Sequence, residues 1–565
     1  MPSLLRTDGA DVHGRAWPGR LAAAALIAAL LLLAVLAFCR LGFETNDDVA
    51  MLKQAAGLYG ERPSPYLLLI NVVLGALLKF LYVQFSHVSW YEILLLTVHF
   101  LALSLLLFAL FLRRFSWRTL LPFLAFFLIF ELVVLFRMSF TTTAFMGGMS
   151  GVVLVVAAFS TEKPFPSTAF GIVGGCLIVL AGMVRLYSLW LALVLSVPFL
   201  LTVERRPRLR IWITIALATA ASFGLARYSQ HLHRQAGWTD YLEQNRYRWV
   251  LQDSPRLAIT DESRPYFDEA GWDEHDVALF KYFLFDDRVY SLEKMKYLSE
   301  RIAARRSLHE MIEQVRYNLS VHKVTIPLAA ALAGLVLLLG NRKNRRIMVF
   351  TAAWSVVVFL GLAFAAKLPF RVMHSLILFN AAVAIFLLCD TAGPRLTAGL
   401  RRWMVLALIA VLAAGTLLQG YRMRKELERN RIRGVWFDEF AGARSRLEPD
   451  AVLVNYGGTY PLPLFVDLDK LRTPRTLRTG GMINSPIYEA RKRKLGVTEV
   501  HEALLHREHC YLVLDQDMDY HIREHLPPFF KRHYGVDVSF ETVSRAGRCL
   551  IYRLVPSGTT APNLP

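Results

Sequence analysis

Apolar and polar positions alternate along this chain in blocks rather than residue by residue. Apolar runs fall at 21–39, 91–112, 119–136, 143–159, 168–184, 187–203, 211–228, 324–340, 347–366, 376–390 and 403–420. A helix needs about 20 residues to cross a bilayer, so the pattern predicts about eleven spans. One further run, 65–85, contains Asn71 and Lys79, and the side on which every later loop falls depends on whether it crosses. If it lies in the interface or dips part-way, Arg113, Arg114 and Arg118 share a side with the N-terminus. So do the stretches 204–208 and 341–346, and Arg395, Arg401 and Arg402. Basic loops concentrate on the cytoplasmic face, and this reading satisfies that tendency in several loops at once.

The resulting plan is a polytopic α-helical membrane protein of about eleven transmembrane helices with a small α/β domain outside. Residues 1–20 form a cytoplasmic N-terminus, 21–420 the membrane domain and 421–565 the extracytoplasmic domain. Two outer loops, 40–90 and 229–320, belong to the membrane domain on this plan. The first run is read as an uncleaved span, because Phe38-Cys39-Arg40 lacks the small residues of a signal-peptidase site. In the larger loop, Gly271–Asp276 leads into an amphipathic pattern at Val277, Phe280, Phe283 and Leu284, and Ser291 is placed to cap a helix running to about 319. The tail alternates β-rich runs at 451–455, 511–514 and 549–555 with helical stretches.

Composition supports this plan and removes other classes. The chain is 55% hydrophobic with a net formal charge of +19, which excludes a soluble globular enzyme. The basic excess sits in short clusters between apolar runs, where it sets topology rather than binding nucleic acid. Cys39, Cys176 and Cys389 lie in or beside apolar runs, which leaves Cys510 and Cys549 as candidates for a disulfide in an oxidising compartment.

The candidate chemistry starts just after the first span, at Thr45-Asn46-Asp47-Asp48, which opens a short helical pattern ending at Gly60. Asn46 reads as an N-cap, and acids are favoured in a first turn by the helix dipole. The same placement suits a catalytic base or a cation site, since a carboxylate held there stays ionised. Isolated cations stand at predicted outer ends of later spans: Arg137, Arg185, Lys367, Arg371 and the neighbouring His374. They either snorkel to headgroups or hold an anionic lipid phosphate. Asp286 and Asp287 read as a solvated turn. His501 and His506, five residues apart, point to different helix faces and predict an exposed surface without metal.

One span, an outer loop with Asn46-Asp47-Asp48-Val49-Ala50-Met51 running to Tyr59-Gly60, many further spans and an outer C-terminal domain together resemble the GT-C glycosyltransferases. Within them the chain is most similar to the bacterial branch of protein mannosyltransferases and the aminoarabinose transferase of lipid A. The resemblance implies inverting transfer of a sugar from a polyprenyl-phosphate donor to an envelope glycan, lipid or protein at the outer face of a bacterial inner membrane. It assigns the base to Asp47, or to Asp48 if the alignment slips by one, and the donor phosphate to Arg185, Lys367 and Arg371. The family's usual Asp-Glu is Asp-Asp here, which leaves the donor sugar, the acceptor and a divalent cation open. Two other readings compete: a transporter or flippase of lipid-linked sugars, and a non-catalytic scaffold for envelope assembly.

Overall fold

The protein is described from a computed structural model covering residues 17–59, 62–161, 166–202, 205–252, 254, 257–286, 288–302, 308–365, 368–389, 399–455, 462–472, 475–478 and 481–557. The chain begins with α1 (Trp17–Phe38), α2 (Asn46–Ala55), α3 (Val72–Gln84), α4 (Trp90–Arg113) and α5 (Trp117–Phe126). A π-helical turn (Phe127–Glu131) joins α5 to α6 (Leu132–Phe136). Next come α7 (Phe140–Phe159), α8 (Ser167–Val184), α9 (Leu186–Leu201) and α10 (Arg205–Gln235). The large loop holds α11 (Thr239–Gln252), α12 (Arg264–Ala270), α13 (Glu274–Lys281) and α14 (Leu292–Ile302). The membrane region closes with α15 (Leu308–Val321), α16 (Thr325–Leu339), α17 (Arg342–Ala365), α18 (Phe370–Leu388) and α19 (Gly399–Arg444).

Among the described residues, nine helices are long and apolar enough to cross a membrane, or ten if the pair α15 and α16, bent by 77°, counts as one. At 16 residues α9 is shorter, but it too runs the length of the bundle: Phe199 near its end packs on Phe386 at one end, and Arg185 just before its start lies over Phe140 at the other. At one end, Arg20 on α1 donates to the Phe111 carbonyl near the end of α4 (3.2 Å), and Trp17 packs on Phe170 of α8. Arg113 lies over Phe386 of α18, Phe199 of α9 packs on the same ring, and Asn344 of α17 donates to the Leu387 carbonyl (3.0 Å). At the other end, Tyr91 of α4 and Phe140 of α7 meet α2, Arg137 lies over Phe370 of α18, and Asn430 of α19 donates to the Arg40 carbonyl (3.0 Å). Among the described residues, Arg20, Arg113 and the 341–346 loop therefore lie at the first end and the acidic pair at the second, as the sequence pattern requires.

The uncertain run 65–85 resolves into α3, whose 13 residues reach roughly 20 Å against a hydrocarbon core of roughly 30 Å. Both of its ends are tied to the same end of the bundle. Val72 N–H donates to Ser229 on α10 (3.1 Å), and the Phe85 carbonyl accepts from Trp90 at the start of α4 (3.1 Å). It therefore does not cross. Helices α7 and α8 are packed backbone to backbone: a Cβ at Gly151 would meet the Gly174 carbonyl at 2.8 Å, the close approach that small residues permit between membrane helices.

The tail carries β1 (Val452–Asn455), α20 (Leu468–Leu471), β2 (Thr476–Arg478), α21 (Pro486–Lys494), α22 (Val500–His506), β3 (Cys510–Asp515), α23 (Gln516–Tyr534), β4 (Asp537–Ala546) and β5 (Cys549–Ser557). Its sheet has the order β2-β1-β3-β5-β4, parallel across β2, β1 and β3 and antiparallel across β3, β5 and β4. The sequence plan assigned the large loop to the membrane domain, but the loop and the tail share one core. Trp272, Phe280, Leu284 and Tyr290 pack with Leu512, Leu526, Phe529 and Phe530. The amphipathic loop helices bury their apolar faces on the tail. Asp273 caps α13 in a reciprocal box with Asp276. Of the helix expected from Ser291 to about 319, the described residues form α14 and α15; residues 303–307 lie outside them. The 46-residue α19 carries the chain from the basic end of the bundle to the C-terminal sheet.

Three expectations for the large loop and the C-terminal domain are corrected. Asp286 is 3% exposed rather than solvated, with His501 Nδ1 at 3.0 Å and bonds from Tyr534 and the Arg288 N–H. Burial alone would raise its pKa, but the bond and charge of His501 hold it well below the ordinary carboxylate range. His501 is accordingly buried, because it serves Asp286 rather than a surface; Asp287 lies outside the described residues. Cys549 pairs in register with Asp515, five positions along β3 from Cys510. That offset is roughly 17 Å of strand, beyond the roughly 7 Å a disulfide spans, so the two cysteines are not bridged.

Candidate functional site

The acid loop is pinned from two sides, by the 462–464 segment and by Met138. Phe43 N–H bonds the Leu462 carbonyl (2.9 Å), Leu464 N–H bonds the Leu41 carbonyl (2.9 Å), and Glu44 N–H bonds the Met138 carbonyl (2.9 Å). Glycine is required at 42, because a Cβ there would lie 2.6 Å from Asn430 Oδ1. Glu92, 1% exposed in the first turn of α4, accepts the Phe465 N–H (2.8 Å) and ties the tail to the membrane domain beside the loop.

These constraints separate the two aspartates. Asp48 is fully buried, and its carboxylate accepts from Tyr91 OH (2.9 Å), Phe140 N–H (2.9 Å) and Thr45 Oγ1 (2.6 Å). Burial pushes its pKa up to about 7 against those three bonds, and the charge of Asp47 adds to the rise. It fastens α2 to α4 and α7. Asn46 is the first residue of the helix rather than its cap; Thr45 occupies the cap position and spends its hydroxyl on Asp48. Asp47 is half-buried and, among the described residues, takes no hydrogen bond and no ion pair. It is the largest charge favouring the Arg185 cation and also acts on Tyr241 of α11.

The candidate cations divide in the same way. Arg185, at the tight turn between α8 and α9, lies over Phe140 (5.1 Å) and Tyr187 (5.4 Å) and forms no ion pair among the described residues. Burial lowers its pKa to about 10, which leaves it charged at neutral pH. Arg371, in the first turn of α18, likewise has no ion pair among the described residues. Its charge is the largest holding down the pKa of Glu44, which burial raises. Arg185 and Arg371 act on each other electrostatically.

Arg137 does not share that freedom. It is bonded to Glu426 of α19 (2.7 Å) and lies over Phe370 (4.8 Å), so it holds helices together. His374 is fully buried, with Nε2 on the Phe130 carbonyl (3.0 Å) and its ring stacked near Phe370 and His322. One turn below Arg371, it faces the helix core rather than a headgroup. Lys367 lies outside the described residues. Sequence reasoning missed Glu44, Tyr91 and Glu92. Glu44 stands two residues before Asn46, and Glu92 is an acid in an otherwise apolar run; those were the available signals.

The arrangement is a carboxylate with no hydrogen bond or ion pair among the described residues, on a loop immobilised by a second carboxylate, together with two guanidinium groups, Arg185 and Arg371, that form no ion pair among the described residues. Such a site can take a proton from a hydroxyl while holding an anionic oxygen nearby. No family model matches the sequence, and no curated protein does. Among solved structures, the chain is similar to ArnT from Cupriavidus metallidurans bound to undecaprenyl phosphate, with 11% identity and a TM-score of 0.46 over 96% of this chain and 98% of that one. It is also similar to the apo state of ArnT from the same organism, with 12% identity and a TM-score of 0.45 over 95% and 98% of the two chains. A likeness at that level decides no chemistry, which rests on the residues described above.

Proposed function

We propose that the chain is a GT-C-type membrane glycosyltransferase. It moves a sugar from a polyprenyl-phosphate donor to a glycan, lipid or protein acceptor of the envelope, at the outer face of a bacterial inner membrane. The observation that carries this reading is the division of labour at the acid loop: Asp48 is consumed by three hydrogen bonds, while Asp47 takes none among the described residues and is the largest charge favouring the Arg185 cation. Asp47 takes the acceptor hydroxyl proton as that oxygen attacks the anomeric carbon from the face opposite the phosphate. The bond between the anomeric carbon and the phosphate oxygen breaks with inversion. The departing phosphate carries the negative charge, and Arg185 and Arg371, with Lys367 as a further candidate, stabilise it without a general acid. Holding α2 through Asp48 keeps Asp47 in place, so the helix-start role of the pair and its catalytic role are compatible.

A transporter of lipid-linked sugars has one observation in its favour, because the spans do hold buried ionisable groups, His99 and Glu131, both fully buried. The two are bonded to each other at 2.6 Å, which fits a structural tie better than an ion path. The test is mass spectrometry of envelope glycans and lipid-linked sugars in a deletion strain complemented with wild type or Asp47→Asn. A sugar missing from an acceptor and accumulating on its lipid carrier, restored by wild type alone, supports transfer. Restoration by Asp47→Asn rules out Asp47 as the base. Cysteine labelling with an impermeant reagent at positions 115, 270 and 500 tests sidedness; labelling at 115, or none at 500, would reverse it.

A further inference from the structure

The α5 to α6 span is interrupted by the π-helical turn Phe127–Glu131, in which Leu132 N–H reaches back five residues to the Phe127 carbonyl. Such a turn inserts one extra residue into the helix and re-aims the side chains that follow it. Glu131, fully buried, meets His99 Nδ1 of α4 at 2.6 Å, and His99 Nε2 meets Thr143 Oγ1 of α7 at 2.9 Å. These three helices are held together within the apolar bundle by one polar chain.

Each arm of that chain leads to the site. His99 lies two turns below Tyr91, and Thr143 one turn below Phe140, so the two helices tied by the chain are those whose outer ends grip Asp48. The adjacent Phe130 carbonyl takes His374 Nε2, one turn below Arg371 on α18. Beyond α6, Met138 donates to the Gly42 carbonyl and accepts from Glu44 N–H, both at 2.9 Å, pinning the acid loop. Thus the π turn sits at the root of both halves of the site, the acid loop and the α18 cation.

The geometry points to His99 and Glu131 as a positioning pair that, through the π turn, sets the acid loop and Arg371 in register for the lipid phosphate. This deepens the proposed function and rests on Arg371 as a phosphate ligand. Neither residue touches substrate. Their effect on binding passes through Arg371, which separates positioning from general structural support.

The test uses the full chain in nanodiscs and measures binding of undecaprenyl phosphate, with undecaprenol as the uncharged control. The double replacement H99L/E131L keeps the interior apolar and packed, so it removes the tie without leaving one charge buried alone. It should weaken undecaprenyl phosphate binding about tenfold while the protein stays monodisperse, and should weaken it no further in an Arg371→Ala background. Glu131→Gln, which keeps an acceptor for His99, should stay within about threefold of wild type. Deleting lipid-facing Leu128 restores a regular helix and rotates Arg137 and Met138 by about 100° relative to α5; it should weaken binding as the double replacement does. Wild-type affinity in both H99L/E131L and the Leu128 deletion would overturn the positioning role, and so would losses that add in full to that of Arg371→Ala; either leaves the glycosyltransferase reading standing. Wild type binding undecaprenyl phosphate no better than undecaprenol would overturn that reading, and the positioning role with it.

Discussion

Replacing Asp48 with alanine should cost far more stability than replacing it with asparagine, and the contrast tests how the acid loop is held. Asp48→Ala leaves the Tyr91 hydroxyl and the Phe140 N–H, both on residues no more than 1% exposed, without an acceptor. A buried donor left unsatisfied costs about 1–3 kcal/mol, so the two together cost about 2–6 kcal/mol; Thr45, half-buried, can turn to water. Asp48→Asn keeps Oδ1 as acceptor for both donors. Its new amide faces Thr45 Oγ1, which can accept as readily as it donates, so the cost stays within about 1 kcal/mol. Thermal unfolding in nanodiscs should therefore show a large fall in Tm for the alanine variant and a small one for asparagine. Sugar transfer should survive Asp48→Asn to within about tenfold, because the lost charge belongs to the tether and not to the base. Asp48→Asn as inactive as Asp47→Asn, or Asp48→Ala as stable as wild type, would refute this division of labour.

Three further outcomes follow from the same geometry. Because burial lifts the Asp48 pKa to about 7, above its unfolded value of about 3.9, the native state binds more protons than the unfolded state between about pH 4 and pH 7. Stability should therefore fall as pH rises through that window, by roughly 4 kcal/mol at most, and Asp48→Asn should flatten the slope; an unchanged slope in melting curves would remove Asp48 as its source. Arg185→Ala and Arg371→Ala should each weaken undecaprenyl phosphate binding by about tenfold or more, whereas Arg137→Ala should act mainly on stability, read as Tm, through its loss of Glu426. In the outer domain, His501→Ala strips buried Asp286 of its main partner and should cost about 3–5 kcal/mol, measured as loss of protease resistance in residues 421–565.

Much of this was legible in the sequence where the signal is long. Eleven apolar runs, their basic loops and the tail's β-rich stretches reappear as the bundle, its basic end and the sheet, because bilayer thickness and strand burial act on whole segments. The failures came where a single polar residue is decided by tertiary contact. Asp286 and His501 each look like surface residues along the chain and become a buried pair only when the loop and tail fold together. Arg137 and Arg371 both sit at span ends, and only the position of Glu426 on α19 gives Arg137 an ion pair that Arg371 lacks among the described residues. The two aspartates could not be told apart locally, since their difference lies in Tyr91 and Phe140, 43 and 92 residues away.

The most direct measurement is sugar transfer by Asp47→Asn in protein that still folds and still binds undecaprenyl phosphate. Asparagine preserves shape and, with no bond to Asp47 to lose among the described residues, should leave Tm and lipid-phosphate affinity near wild type. Transfer should fall by about a thousandfold or more, as expected when a general base is removed. Transfer at the wild-type rate in that variant would contradict the central claim that Asp47 is the base.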